Sequence, residues 1–231
     1  MNEGNSVSSS TYTADEIDDQ SKRSNDEDFS IELAKAFFQR RPTGVVVECG
    51  SHTGKGSSIG YRFERAGWKA YNIEVNPYCH EMLDMLRPDS TNVKYGLWSE
   101  ECTKTLLLPQ FKEGYKFPAG SSFIFDREYF NQNKKQYLFT EIEVPLKTYA
   151  QFVEEYNIPH IDLFILDVEG AEGEVLDGIG DAIKPDVFAV EDPKDGYPAF
   201  DDKLIAMGYV KSAKRCKDNS FWSIGGKEFH G

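Results

Sequence analysis

Residues 45–58 read VVVECGSHTGKGSS, and residues 70–77 read AYNIEVNP. The run Val45–Val47 suits a buried strand, and it leads into an acid, Glu48. Gly50, Gly54 and Gly56 follow. Glycine lets a backbone turn sharply and approach a ligand closely, because no Cβ intervenes. A helical pattern then leads to a second short strand, Lys69–Glu74, which again ends in an acid. This is the pattern of the first βαβ unit of an open, doubly wound sheet with a nucleoside-containing cofactor at its strand ends. Glu74 lies twenty residues beyond Gly54, where a carboxylate at a strand tip can accept both ribose hydroxyl protons.

The turn discriminates among cofactors. A dinucleotide site wants G-x-G-x-x-G, whereas this chain has Glu48-x-Gly50-x-x-x-Gly54. That order resembles motif I of class I S-adenosylmethionine-dependent methyltransferases. A tight structural turn without a ligand is the plainer alternative.

Length and composition narrow the field. At 231 residues the chain holds one full-core domain and a tail, here placed at 28–231 and 1–27. Residues 1–27 are rich in Ser, Asn, Asp and Glu, cannot offset their ordering entropy by burial, and read as a disordered acidic tail. No apolar run approaches the ~20 residues needed to cross a bilayer, and no leader pattern opens the chain, so a cytoplasmic protein without membrane contact is expected. Cys49, Cys79, Cys102 and Cys216 are scattered without a C-x-x-C pair, as free thiols in a reducing compartment would be. The net charge of −13 argues against nucleic acid as a partner, although the tail carries much of it.

Further elements follow in order. Ser30–Arg40 reads as an amphipathic helix with Ile31, Ala34, Phe37 and Phe38 on one face. A helix from about Ser57 ends at Gly67, and Asn76-Pro77 caps the next one, which stops at Arg87-Pro88. Asn92–Leu97 is the expected third strand, with Trp98 either over an adenine ring or simply over the sheet edge. Residues 99–140 are expected to form irregular strands and a substrate-facing excursion. Glu141–Pro145 is a short strand and Leu146–Tyr156 a helix. Ile161–Leu166 is a continuous apolar run, as a central parallel strand requires. Asp186–Val190, a helix around Ala199–Met207, and the pair Tyr209–Ala213 and Ser220–Ile224 complete the chain. The expected fold is a single α/β, Rossmann-like doubly wound sheet, mostly parallel and ending in an antiparallel hairpin.

The segment IDLFILDVEGAEGEVLDGI, residues 161–179, resembles the signature of the FkbM family of methyltransferases, as does VPLKTYAQFV at 144–153. With motif I, the resemblance covers about residues 44–192. Two departures stand out: Glu48 replaces the family's usual Asp, and Asp192-Pro193 stands where a His often follows the fifth-strand acid. The resemblance implies S-adenosyl-L-methionine as donor and a hydroxyl of a sugar, glycan or secondary metabolite as acceptor. By position it assigns Glu48, Gly50, Ser51 and Gly54 to the methionine half of the cofactor, Glu74 to the ribose and Leu97 to the adenine.

Methyl transfer from a sulfonium needs a positioned nucleophile and excluded water, and a hydroxyl nucleophile needs a base or a metal beside it. Asp167, at a strand end facing the cofactor crevice, is the first candidate base. Glu191 and Asp192 either position the acceptor or join Asp167 in holding Mg²⁺ through oxygen ligands. His52, in the turn, is a further candidate base beside a plain hydrogen-bonding role. Glu169 and Glu172 have a simpler reading as first-turn acids that favour a helix dipole. Tyr129 and Phe130 are candidates for the acceptor pocket, and His80 and His160 read as structural. The competing functions are an NAD-dependent oxidoreductase, disfavoured by the turn order and the terminal hairpin, and a non-catalytic binding module, disfavoured by the retained acids.

Overall fold

A computed structural model describes residues 42–55, 58–111, 120–124, 128, 137–192, 200–216 and 219–225. The tail 1–27, the helix expected at Ser30–Arg40, and Ser57, Tyr129, Phe130 and Pro193 lie outside the described residues. Among those described, no helix is long and apolar enough to cross a membrane.

The main sheet holds β1 (Val45–Cys49), β2 (Lys69–Ile73), β3 (Thr91–Val93), β7 (Leu163–Leu166), β8 (Val187–Glu191), β9 (Tyr209–Cys216) and β10 (Asn219–Ile224). Its order is β3-β2-β1-β7-β8-β10-β9. The first five strands run parallel, and β10 lies antiparallel to both β8 and β9. From the β1–β7 pair the strand order proceeds outward in opposite directions, so the crevice over their C-terminal ends is the natural ligand position of a doubly wound sheet. The expected fold class stands.

Burial explains the central position of β7: all four of its residues are buried, between β1 and β8. Side chains alternate across the sheet. Val47, Phe164, Leu166, Phe188 and Val190 pack with α3 (Tyr149–Glu155), α4 (Glu172–Asp177) and α5 (Asp201–Ala206) on one face. Val46, Ala70, Leu163, Ile165 and Ala189 pack on the other with Ile59, Phe63 and Trp68, where α1 (Gly60–Arg65) lies. Asn76 caps α2 (Pro77–Leu86) as expected, its side chain accepting the Tyr78 N–H at 3.1 Å with Pro77 at the first helical position. Thr148 and Gln151 form a reciprocal capping box on α3, so that helix begins at Tyr149 and not at Leu146.

Two expectations about the middle of the chain are corrected. The strand expected at Asn92–Leu97 is two strands in two sheets. β3 ends at Val93, and β4 (Gly96–Leu97) pairs in parallel with Leu146 and Lys147. Between them the Tyr95 hydroxyl donates to Glu155 Oε2 at 2.9 Å, which draws the chain off the sheet edge. The stretch expected to be irregular contains a regular hairpin. β5 (Cys102–Phe111) pairs antiparallel with β6 (Tyr137–Lys147) from Cys102–Leu146 out to Phe111–Tyr137. With β4 these form a second sheet, in the order β4-β6-β5. Leu106, Leu108, Val144 and Leu146 bury one face of it against Trp98 and Ala171.

Candidate active site

The turn after β1 is tied to the end of β2. The N–H groups of Gly50 and Ser51 both donate to the Ile73 carbonyl, at 3.0 and 3.2 Å. Gly50 has φ +95°, and a Cβ there would lie 1.7 Å from the Asp167 carbonyl oxygen. The Asp167 N–H in turn donates to the Cys49 carbonyl at 3.0 Å, so the ends of β1 and β7 are locked together. His52 follows with φ +49°, and its N–H donates to Glu74 Oε2 at 2.7 Å. The other Glu74 oxygen accepts the Asn76 N–H at 2.7 Å.

A cavity opens over these strand ends, with an empty volume of about 830 Å³, part of it open to solvent. One wall is Gly50, His52 and Glu74; the next is Val75, Asn76, Cys79 and Leu97; the third is Asp167, Val168 and Glu169. Gly120, Ser121 and Phe123, from the segment beside β5, complete it.

Of the residues singled out in the sequence, Gly50, His52, Glu74, Leu97 and Asp167 meet on this cavity. Glu48, Ser51 and Gly54 do not line it. Glu48 points to the opposite face of the sheet, where its carboxylate accepts from Ser58 Oγ, from the Gly60 N–H at 3.0 Å and from Arg87. Ser51 is buried and donates its hydroxyl to the Glu48 carbonyl at 2.8 Å. Gly54 lies against α2, where a Cβ would meet Leu83 Cδ1 at 2.3 Å. These three shape the turn from behind. Trp98 is also absent from the lining; it is buried, edge-on to Phe123 with ring centroids 5.8 Å apart.

The proposed metal trio does not assemble. Asp192 turns away to β9, where Lys211 and Arg215 each reach its Oδ2 at 3.1 Å. Glu169 takes its place: one carboxylate oxygen from each of Asp167, Glu169 and Glu191 lies within 4.8 Å of the others. Asp167 and Glu191 sit side by side at the ends of the adjacent strands β7 and β8. Burial first, then the charges of Glu191 and Glu169, hold the Asp167 carboxyl well above the usual range.

Glu172 resolves the question of the first-turn acids. It is fully buried, and its Oε1 accepts the N–H groups of Val168 and Gly170 at 3.1 and 3.3 Å, pinning the turn after β7. Glu169 has φ +53° in that turn and faces the cavity. Burial pushes both Glu172 and Glu74 up to about 7, against the pull of the N–H groups each accepts. Burial likewise raises the Cys49 and Cys79 thiols, so these two cavity residues stay protonated and inert.

His80 and His160 have structural partners. His80 meets the Glu74 carbonyl at 3.2 Å and Asp84 at 3.4 Å. His160 meets Asp162 and Asp186 at the N-terminal ends of the strands, opposite the cavity. The residue that sequence reasoning missed is Arg87, read only as a helix stop. It is buried and joins Glu48, Glu64, Ser58 and the Gly54 carbonyl.

Solved structures similar to this chain include a precorrin-6y C5,15-methyltransferase from Geobacter metallireducens GS-15. It is 13% identical, with 85% of each chain covered and a TM-score of 0.40. A methyltransferase from Geobacter sulfurreducens is 9% identical, with 93% of this chain and 98% of that one covered and a TM-score of 0.39. No curated protein matches the chain. The family model of the methyltransferase FkbM domain matches residues 48–210, which takes in the cavity lining, the carboxylate cluster and the whole of the second sheet. The chain belongs to the FkbM methyltransferase domain family.

Proposed function

We propose that this protein is an S-adenosyl-L-methionine-dependent O-methyltransferase acting on a hydroxyl of a sugar, glycan or secondary metabolite. The observation that carries the reading is one cavity lined both by a strand-tip acid, Glu74, and by Asp167 and Glu169, against which Glu191 clusters. The residues present fit the cofactor. Glu74 is held at the strand tip by two backbone N–H groups and lines the cavity, where it would meet a ribose diol, and Val75, Cys79 and Leu97 offer an apolar slot for a purine. Gly50 keeps the methionine side of the cavity free of a side chain.

When bound, this cofactor supplies a methyl group on a sulfonium, which leaves without acid assistance. The work left to the protein is orientation and proton removal. In this reading the acceptor hydroxyl lies against Asp167. Asp167 would take the proton of that hydroxyl onto a carboxylate oxygen. An acid with a raised pKa that has lost its proton is a stronger base than a solvent-exposed one, which suits a weakly acidic hydroxyl. Glu191 lies beside Asp167, and Glu169 faces the same space.

Titration calorimetry with S-adenosylhomocysteine tests the reading, with NAD as control ligand. Micromolar binding of the first, weakened about tenfold to a hundredfold in Glu74→Ala, is the expected result for loss of hydrogen bonds to a charged group. Binding of NAD alone would replace the reading with the oxidoreductase one.

The affinity should also depend on pH with a defined sign. Glu74 accepts both ribose hydroxyls, one on each oxygen, only when ionised, and burial holds it at about 7 in the free protein. Binding below that value requires a proton to leave first. S-adenosylhomocysteine is therefore expected to bind about tenfold more tightly at pH 8 than at pH 6. Glu74→Gln should flatten this profile, and a flat profile in the unmodified protein would contradict the assignment.

A further inference from the structure

We propose that Ser122 is a positioning residue for the carboxylate cluster, holding the Glu169 turn from the second sheet so that Glu169 faces Asp167 and Glu191. The proposal rests on the methyltransferase reading above.

Glu169 and Gly170 both lie in the left-handed region, with φ of +53° and +96°. For a residue with a Cβ that conformation costs roughly 1–2 kcal/mol and persists only where its surroundings impose it. Two contacts impose it here, from opposite sides. Glu172 Oε1 holds the N–H groups of Val168 and Gly170. The Ser122 hydroxyl donates to the Glu169 carbonyl at 2.8 Å. The Glu169–Gly170 peptide is thereby held at its carbonyl by Ser122 and at its N–H by Glu172, and releasing the carbonyl frees the turn to leave the left-handed conformation that aims Glu169 at the cavity.

Ser122 is itself anchored firmly enough to act as a brace. It is 1% exposed, and it exchanges two backbone hydrogen bonds with Leu107 of β5, at 3.1 and 3.2 Å. Its flanking residues are fixed as well. Ser121 Oγ accepts from Asn76 Nδ2 at 3.3 Å, and Phe123 packs edge-on against Trp98. Gly120, Ser121 and Phe123 form the cavity wall beside Glu169. A narrower role for Ser122 would be to close its own turn, since its Oγ also accepts the Ile124 N–H at 3.0 Å. That role uses a lone pair of the hydroxyl, whereas the bond to Glu169 uses its proton.

The test compares two ligands that differ in charge at one atom. S-adenosylmethionine carries a sulfonium where S-adenosylhomocysteine has a neutral thioether. The ratio of their affinities therefore reads the negative charge presented at the methyl end. Calorimetric titrations of both ligands would be made on the full chain and on Ser122→Ala, Ser122→Thr and Glu169→Gln. Ser122→Ala and Glu169→Gln are each expected to lower the preference for the sulfonium by roughly threefold to tenfold. The homocysteine form should bind Ser122→Ala within about twofold of the unmodified chain, because the Glu74 contacts are untouched. Ser122→Thr, which keeps the hydroxyl, should restore the ratio. Should the alanine variant melt below the assay temperature, Ser122→Cys, similar in size and a weaker donor, gives the same readout. An unchanged ratio in Ser122→Ala, or an equal loss for both ligands, would reduce Ser122 to a turn-closing residue and overturn the proposal. An unmodified chain that binds neither ligand would overturn the methyltransferase reading itself, and the proposal with it.

Discussion

Gly50→Ala is expected to destabilise the protein by about 3–5 kcal/mol, or to prevent folding, and to abolish cofactor binding in whatever folds. The added Cβ would lie 1.7 Å from the Asp167 carbonyl oxygen, a backbone atom with no rotamer to change. Relief requires the ends of β1 and β7 to part, yet the Asp167 N–H is bonded to the Cys49 carbonyl across that gap. The positive φ adds its own cost. Gly54→Ala is the informative comparison. Its φ is also positive, but its Cβ would meet Leu83 Cδ1 and Arg87 Cδ, side-chain atoms that can shift. Thermal melts should show a drop of roughly 10 °C or more for Gly50→Ala, and a clearly smaller one for Gly54→Ala. Equal drops would mean that φ alone, and not the close approach of two strand ends, makes glycine necessary at position 50.

The same contact shows why part of this site was legible in the sequence. Motif I and the strand ending at Asp167 each carry strong local signals: a valine run or a continuous apolar run, then an acid and a glycine. Buried parallel strands leave those signals because both faces must be apolar. The terminal hairpin and the Asn76-Pro77 cap were legible for equally local reasons. The β5–β6 hairpin was not. Its strands are separated by a long connection, and its length is set by pairing across that gap and by burial against Trp98.

The carboxylates divide in the same way. That Asp167 and Glu191 share a site follows from adjacent parallel strands ending at one level, a property of the fold. Which third acid joins them does not follow from spacing. Asp192 comes next in sequence after Glu191, but Lys211 and Arg215 on β9 draw it away. Glu169 enters the cluster because its turn adopts a left-handed conformation that no periodicity predicts.

Arg87→Met carries the other large expected effect, a loss of about 3–5 kcal/mol at neutral pH. Its side chain is buried and its guanidinium reaches Glu48 Oε2 at 3.4 Å, Ser58 Oγ at 3.0 Å, the Gly54 carbonyl and Glu64. Methionine would fill much of the space but leave Glu48 as a buried charge without its counter-ion. Burial already raises the Glu48 carboxyl, and Arg87 is the largest influence opposing it. Without Arg87 the folded-state pKa rises further above the unfolded one. The destabilisation is then smallest below the unfolded carboxylate pKa, and grows as pH rises toward the folded one. Denaturant unfolding of Arg87→Met should therefore show the deficit shrinking between pH 7 and pH 5. The double variant Glu48→Gln with Arg87→Met should recover a substantial part of the loss at pH 7, because no buried charge is left unpaired. Because Arg87 also holds the Gly54 carbonyl, the recovered stability need not restore cofactor affinity: stability follows charge balance, affinity the shape of the turn. A double variant no more stable than the single one would show that packing at the end of α2, and not the Glu48 charge, makes Arg87 indispensable.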